Sequence, residues 1–182
     1  LTIIVDEIDR LTKVVNQLLQ FAKPGSEVKT SVRIGAVIHS TLVVLNHEAK
    51  QNKITTFCQI PNDLPEIAAD EGALKEVFFN LLRNAIQAMP SGGEIHINAH
   101  YQPSSHAIQI TVTDTGTGIA QGSFQKIFEP FYTTKQTGTG LGLSIVKKKL
   151  EDMEATIHAE SNGHGASFVI NFPLPEPLLV QT

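Results

Sequence analysis

The chain has 182 residues, 41% of them hydrophobic, with 14 basic and 18 acidic side chains and a formal net charge of -4. This is enough for one ordinary core, and with no basic excess it argues against nucleic acid or an anionic membrane surface as a partner. The seven histidines show no metal-ligand spacing. The single cysteine, Cys58, fits a reducing, cytoplasmic compartment, and no apolar run approaches the ~20 residues of a membrane span.

Ile4, Ile8, Leu11, Val15, Leu18 and Ala22 recur at alternating four- and three-residue steps. That is a heptad seam, closed by Pro24-Gly25-Ser26. Residues 1–23 read either as a helix packed on its own domain or as half of a dimerising hairpin. A length of about six turns favours the hairpin. With helix already under way at Leu1, the chain reads as part of something longer. Residues 24–29 read as a linker.

Ile34, Val37, Ile38, Thr41, Leu42, Leu45 and Ala49 outline a second amphipathic helix. Ile54 to Ile60 reads as a strand, and the apolar run around Cys58 makes a buried, inert thiol the expectation. Asp70 is placed to N-cap a third helix reaching Met89, with Glu71 at its positive end. Its expected core stripe is Leu74, Val77, Phe78, Leu81, Ala85 and Ala88. Ile95/Ile97/Ala99 and Ile108/Ile110/Val112 alternate with polar residues and give two strands joined through Gln102–His106. A fourth helix starts around Gly140. Thr156 to Ser161 and Ala166 to Phe172 form a closing hairpin, and three prolines keep the tail out of the sheet. Helices and a largely antiparallel sheet in separate runs predict an α+β (α/β) two-layer sandwich.

Glu76, Asn80 and Asn84 stand four apart and share one face of the third helix. Asparagine is a poor mid-helix residue, but its amide oxygen is a hard, neutral ligand suited to Mg²⁺. A solvated polar face is the plain alternative. Asp114 ends a strand and opens Asp114-Thr-Gly-Thr-Gly118. Its carboxylate only accepts hydrogen bonds, which suits the exocyclic amino group of adenine and equally suits an Asx-turn within its own loop. Gly138, Gly140 and Gly142 lead into a helix, where backbone N–H groups and the helix dipole favour phosphate. The spacing is neither a P-loop nor a dinucleotide fingerprint. Between the glycine clusters, the aromatics of 124–135 could pin a mobile lid to the body and present Lys135 to terminal phosphates. Two glycine clusters with the asparagine face describe a pocket for a nucleotide.

These residues resemble the ATP-binding catalytic domain of two-component sensor histidine kinases, part of the superfamily shared with gyrase, mismatch-repair and heat-shock chaperone ATPases. Glu76 to Ala88 resembles the asparagine box, Asp114 to Gly118 the first glycine box and Phe128-Glu-Pro-Phe131 the phenylalanine box. Gly138 to Leu143 resembles the second glycine box, and Gly163-His-Gly165 the third. The Thr-Thr-Lys135 segment is most similar to nitrogen-sensing and sporulation kinases. The resemblance implies a Bergerat sandwich over residues 30–174, with residues 1–23 as the second helix of a dimerisation hairpin and 175–182 as a tail. It implies Mg²⁺ on Asn80 and Asn84, and chemistry assisted by Asn80 and Lys135. It further implies ATP contacts from Asn80, Asn84, Gln87, Asp114, Gly116, Gly118, Ile119, Phe128, Phe131, Thr134, Lys135, Gly138, Thr139, Gly140, Leu141, Gly142 and Ser167. The implied partners are ATP and ADP, a second copy of the chain, and a response-regulator receiver domain.

The sequence departs from the family pattern in three places. The box bearing a phosphorylated histidine is absent, since His47-Glu48 lies in a helix with no following Pro-Leu. Gln87 stands where many relatives carry lysine, which shifts phosphate charge onto Lys135. Ala166 follows the third-box glycine where a small hydroxyl residue is common, leaving Ser167 as the nearest hydroxyl. The superfamily's ATPases carry a glutamate where Asn80 stands, and an amide has no useful basicity. Hydrolysis therefore loses general-base help worth roughly 10²–10⁴-fold, and phosphoryl transfer to a side chain from another domain is favoured. A protein-serine kinase or anti-sigma factor, and a non-catalytic dimerisation module, are the alternatives.

Overall fold

The computed structural model describes residues 11, 12, 15, 18, 19, 29–135, 138–161 and 163–175. Leu11, Thr12, Val15, Leu18 and Leu19 are helical and exposed. The rest of the expected heptad helix, most of the linker and the end of the tail lie outside the described residues. Among the described residues no helix is long and apolar enough to cross a membrane.

Strand β1 (Thr30–Val32) precedes helix α1 (Ile34–Gln51), strand β2 (Ile54–Gln59), strand β3 (Ile67–Ala69) and helix α2 (Glu71–Ala88). The long hairpin β4 (Gly93–Gln102) and β5 (Ala107–Asp114) follows, then a 3-10 turn (Lys126–Phe128), helix α3 (Gly142–Asp152) and the hairpin β6 (Thr156–Glu160) and β7 (Ser167–Pro173). The main sheet runs β2-β4-β5-β7-β6, with β2 parallel to β4 and every other pair antiparallel. β1 and β3 form a separate two-stranded antiparallel ribbon. The architecture is the mixed-sheet α+β sandwich that the sequence pattern predicts.

Strand alternation decides which side of the sheet meets the helices, because successive side chains point to opposite faces. Ile95, Ile97 and Ala99 of β4 pair with Asp114, Val112 and Ile110 of β5, and all six are buried. Val112, Ile110 and Ile108 in turn pair with Phe168, Ile170 and Phe172 of β7. Leu74, Val77, Phe78, Leu81, Leu82 and Ala85 of α2 fill the facing layer. Each such fully buried aliphatic or aromatic side chain contributes about 1.5–3 kcal/mol relative to exposure. Ala88, expected in this stripe, is half-buried, and its carbonyl accepts from the Thr117 N–H of the loop after β5 at 3.3 Å.

The boundaries of α2 follow from local chemistry. The Asp70 carboxylate accepts a 3.0 Å hydrogen bond from the Ala73 N–H, and Glu71 sits in the first turn. Asp114 ends β5 directly beside Ile95, on the helix-facing side of the sheet. The fold therefore places a buried carboxylate at the end of β5, on the face of the sheet that meets the helices. On the opposite face, Phe57 stacks on His96 with centroids 4.8 Å apart, and Thr113 pairs with Ser167. Cys58 is half-buried rather than buried, and desolvation pushes its thiol pKa up, so it is a poor nucleophile.

Candidate nucleotide-binding site

The asparagine face of α2 meets the start of α3. An Asn80 N–H donates to the Glu76 carbonyl at 3.0 Å, which folds the amide nitrogen back on its own helix and turns Oδ1 outward. A side chain at Gly142 would come within 3.5 Å of Asn80 Oδ1 and 3.9 Å of the Asn84 amide nitrogen. The bare backbone of α3's first residue thus lies against both amides. Lys149 on α3 reaches Glu76 on α2 at 3.0 Å with both side chains largely covered, so an ion pair fixes the two helices in this register. Neither the pairing nor Lys149 has a signature in the sequence.

α3 begins without a side-chain cap and without an acidic residue in its first turn. Its leading N–H groups carry the positive end of the helix dipole beside the two asparagines. Gly140 has φ +70, and a Cβ there would run into the Phe131 backbone, whose N–H donates to the Gly140 carbonyl at 3.0 Å. Leu141, expected in the site, sends its side chain into the core at 1% exposure, and its N–H is held by Thr139 Oγ1. Only its backbone remains near the glycine turn.

Asp114 is 4% exposed. Its Oδ1 accepts from the Gly116 N–H at 2.8 Å and from the Ala166 N–H at 3.3 Å. The first bond is the Asx-turn that the sequence left open. Both bonds end on Oδ1, and among the described residues no hydrogen bond reaches Oδ2. Burial pushes the carboxyl pKa up, opposed by the two backbone N–H groups and by the positive charge of Lys135. Gly165, at φ +83, passes so close to Asp114 that a Cβ would overlap its carbonyl oxygen. Ser161 joins the first and third glycine turns, accepting from the Ile119 N–H at 3.2 Å and donating to the Gly165 carbonyl at 2.6 Å. Ser161 was missed in the sequence. So was Ala166, whose N–H faces Asp114. Ser167 is the correction that accompanies it: one residue further along β7 its hydroxyl meets Thr113 at 2.8 Å on the opposite face of the sheet.

The aromatics of the intervening segment divide. Phe128 is buried and meets Phe168 edge-on, with centroids 6.4 Å apart. Tyr132 donates to Ser123 at 2.9 Å. Phe131 stands out at 60% exposure with φ +68, and Thr134 is also exposed, so neither is covered by the body of the domain. Lys135 returns to the asparagine face. Its ammonium donates to Asn84 Oδ1 at 3.1 Å and to Gln87 Oε1 at 2.8 Å. Burial and the nearby Arg83 charge pull its pKa down, while Asp114 opposes them.

Asn80, Asn84, Gln87, Lys135 and Gly142 are thus joined by one set of contacts, and Asp114, Gly116, Gly118, Ile119 and Gly165 by another that runs through Ser161, with the charge of Lys135 reaching Asp114 between them; Gly140 is tied to Phe131. Gly138 and Thr139 stand on the approach to α3, and the 3-10 turn that carries Phe128 packs against α3. Among the described residues no three His, Cys, Asp or Glu side chains gather to hold a metal. A cation on this face would meet the amide oxygens of Asn80 and Asn84, of which Asn84 Oδ1 already takes the Lys135 ammonium. Two neutral hard oxygens suit a Mg²⁺ that keeps waters and phosphate oxygens in its shell, and the bare Gly142 backbone leaves space beside them.

The family described as "Histidine kinase-, DNA gyrase B-, and HSP90-like ATPase" matches residues 69–176. The signal transduction histidine-protein kinase AtoS of Escherichia coli is 35% identical over 96% of this chain and 29% of its own length. Among solved structures, full-length ShkA in complex with AMPPNP superposes with a TM-score of 0.81 at 28% identity, over 94% of this chain and 37% of that one. Histidine kinase ThkA in complex with response regulator protein TrrA superposes with a TM-score of 0.78 at 28% identity, over 95% of this chain and 50% of that one. The chain spans less than a third of the length of AtoS.

Proposed function

The chain belongs to the family of histidine kinase-, DNA gyrase B- and HSP90-like ATPases and carries the ATP-binding catalytic domain of a sensor histidine kinase; on that premise we propose that it presents Mg²⁺-bound ATP to a histidine outside this domain, for relay to an aspartate of a response regulator. The observation that carries this reading is the meeting of the Asn80/Asn84 face with the uncapped start of α3. Asn80 and Asn84 would hold Mg²⁺, which neutralises charge on the phosphates. The first N–H groups of α3 and the Lys135 ammonium would take phosphate oxygens. Oδ2 of Asp114 would accept from the amino group of adenine.

Among the described residues of the Asn80/Asn84 face, none is a free base to activate water. The Asn80 amide is not basic, and Glu76 is paired with Lys149. The domain's contribution is then positioning and charge neutralisation, as phosphoryl transfer requires. A response regulator as recipient is supported by the ThkA structure, which contains one. The exposed apolar residues Leu11, Val15 and Leu18 support pairing with another helix. We assign residues 1–23 to that hairpin and 30–174 to the catalytic domain.

The test is ATP affinity measured calorimetrically with and without Mg²⁺. Asn84→Ala is expected to abolish most of the gain that Mg²⁺ confers, a loss of about tenfold or more. Full retention of that gain would remove the metal role.

A further inference from the structure

In the structure the ammonium of Lys135 bonds to the same Asn84 oxygen that the reading above assigns to a metal ion. Asn84 Oδ1 and Gln87 Oε1 hold Nζ at 3.1 and 2.8 Å. The two acceptors lie three residues apart on α2 and so project from adjacent positions of one face. An ammonium has three N–H donors. Two are engaged here, which leaves the third for an incoming oxygen. We propose that Gln87 is a positioning residue that holds Lys135 on Asn84 as a built-in cation, so that Lys135 and Mg²⁺ compete for the same amide oxygen and nucleotide can bind in a metal-free mode. This rests on the nucleotide reading above and specifies how the phosphate end of that site is charged.

The physical argument is one of shared ligands. Asn84 Oδ1 has two lone pairs, but an ammonium and a Mg²⁺ held on one oxygen would stand about 4 Å apart and repel, so one cation excludes the other. With Mg²⁺ absent, Lys135 stays on Asn84 and offers its free N–H to the phosphates. With Mg²⁺ present, the metal takes the amide oxygen, and Lys135 moves to the phosphates while Gln87 retains it nearby. Removing the ammonium therefore damages metal-free binding more than metal-assisted binding. Removing the Gln87 oxygen does the same to a smaller degree, because a four-carbon stem without its tether loses more freedom when it is ordered on the ligand.

The experiment measures the dissociation constant of ATP in EDTA and in excess Mg²⁺ for the wild type, Lys135→Met, Gln87→Met and Gln87→Glu, with thermal melting to establish folding. The quantity read is the ratio of the two constants. Lys135→Met is expected to raise that ratio about tenfold, the scale of one charge-assisted hydrogen bond. Gln87→Met should raise it by a smaller factor, and Gln87→Glu, which keeps an acceptor oxygen, should hold it at or below the wild-type value. Equal loss in both conditions for Lys135→Met would overturn the competition. An unchanged ratio in Gln87→Met would overturn the positioning role. Absence of ATP binding by the folded wild type would instead overturn the nucleotide reading, and this inference with it.

Discussion

The two rims of the candidate site are built from different materials. Around Asp114 the structure is held by backbone: N–H groups of Gly116 and Ala166 on a buried carboxylate, and Gly165 packed against the Asp114 carbonyl. Around Lys135 it is held by side chains: an ammonium on two amide oxygens, with Phe131 and Thr134 exposed beside it. Backbone contacts at a strand end move only if the sheet moves. Side-chain contacts exchange partners without disturbing the core. A rim of the first kind suits a rigid, invariant group such as a base. A rim of the second kind suits phosphates and a metal whose number and position change during transfer.

The sharpest way to break this contrast lies within one turn. Gly163 and Gly165 both have positive φ, at +91 and +83, but a Cβ at Gly163 meets nothing within 4 Å. Gly163→Ala should cost about 1 kcal/mol, the ordinary penalty for a left-handed residue. Gly165→Ala should add a collision with the Asp114 backbone and cost about 3 kcal/mol or more. Denaturant unfolding of both variants measures the difference. Equal costs would mean that the Asp114 rim yields as easily as an exposed turn.

A smaller effect is expected in recognition. Asp114→Asn keeps an oxygen for Gly116 and Ala166 but replaces Oδ2 with a donor. Preference for ATP over GTP should fall by about tenfold, the scale of one buried hydrogen bond with its unpaired partner. Retained discrimination in a competition titration would reduce Asp114 to its Asx-turn.

The smallest effect concerns pH. Burial raises the Asp114 pKa, so the folded protein keeps this proton at a pH where the unfolded chain has released it. Below both pKa values the carboxyl costs nothing. Stability attributable to this group therefore falls as pH rises through the window just above its ordinary value of 3.8. Asp114→Asn should flatten that part of the stability profile. A profile identical to the wild type would show that backbone hydrogen bonds fully offset the burial.

What could be read from the sequence tracks how local its cause is. α2 was legible because Asp70, the apolar stripe and the asparagine face all act within one helix. β1 and β3 were not, since three residues each give no usable alternation and their pairing joins Thr30 to Ala69. The Ser167 error was avoidable. Phe168, Ile170 and Phe172 face the core, so parity alone puts Ser167 on the outer face and leaves Ala166 beside Asp114. The Ser161 bridge and the Glu76–Lys149 pair were out of reach, because each joins segments far apart in the chain that only the completed fold brings together.

The central claim is that the asparagine face, the Asp114 rim and the start of α3 serve one ligand. Titration of isotopically labelled wild type with Mg²⁺ and ATP, followed by amide chemical shifts, tests it directly. The account predicts that Asn80, Asn84, Gly116, Gly142 and Ala166 respond together, with one midpoint, while Thr111 and Asn171 on the far side of the sheet stay still. Response at one rim alone, or separate midpoints for the two, would contradict it.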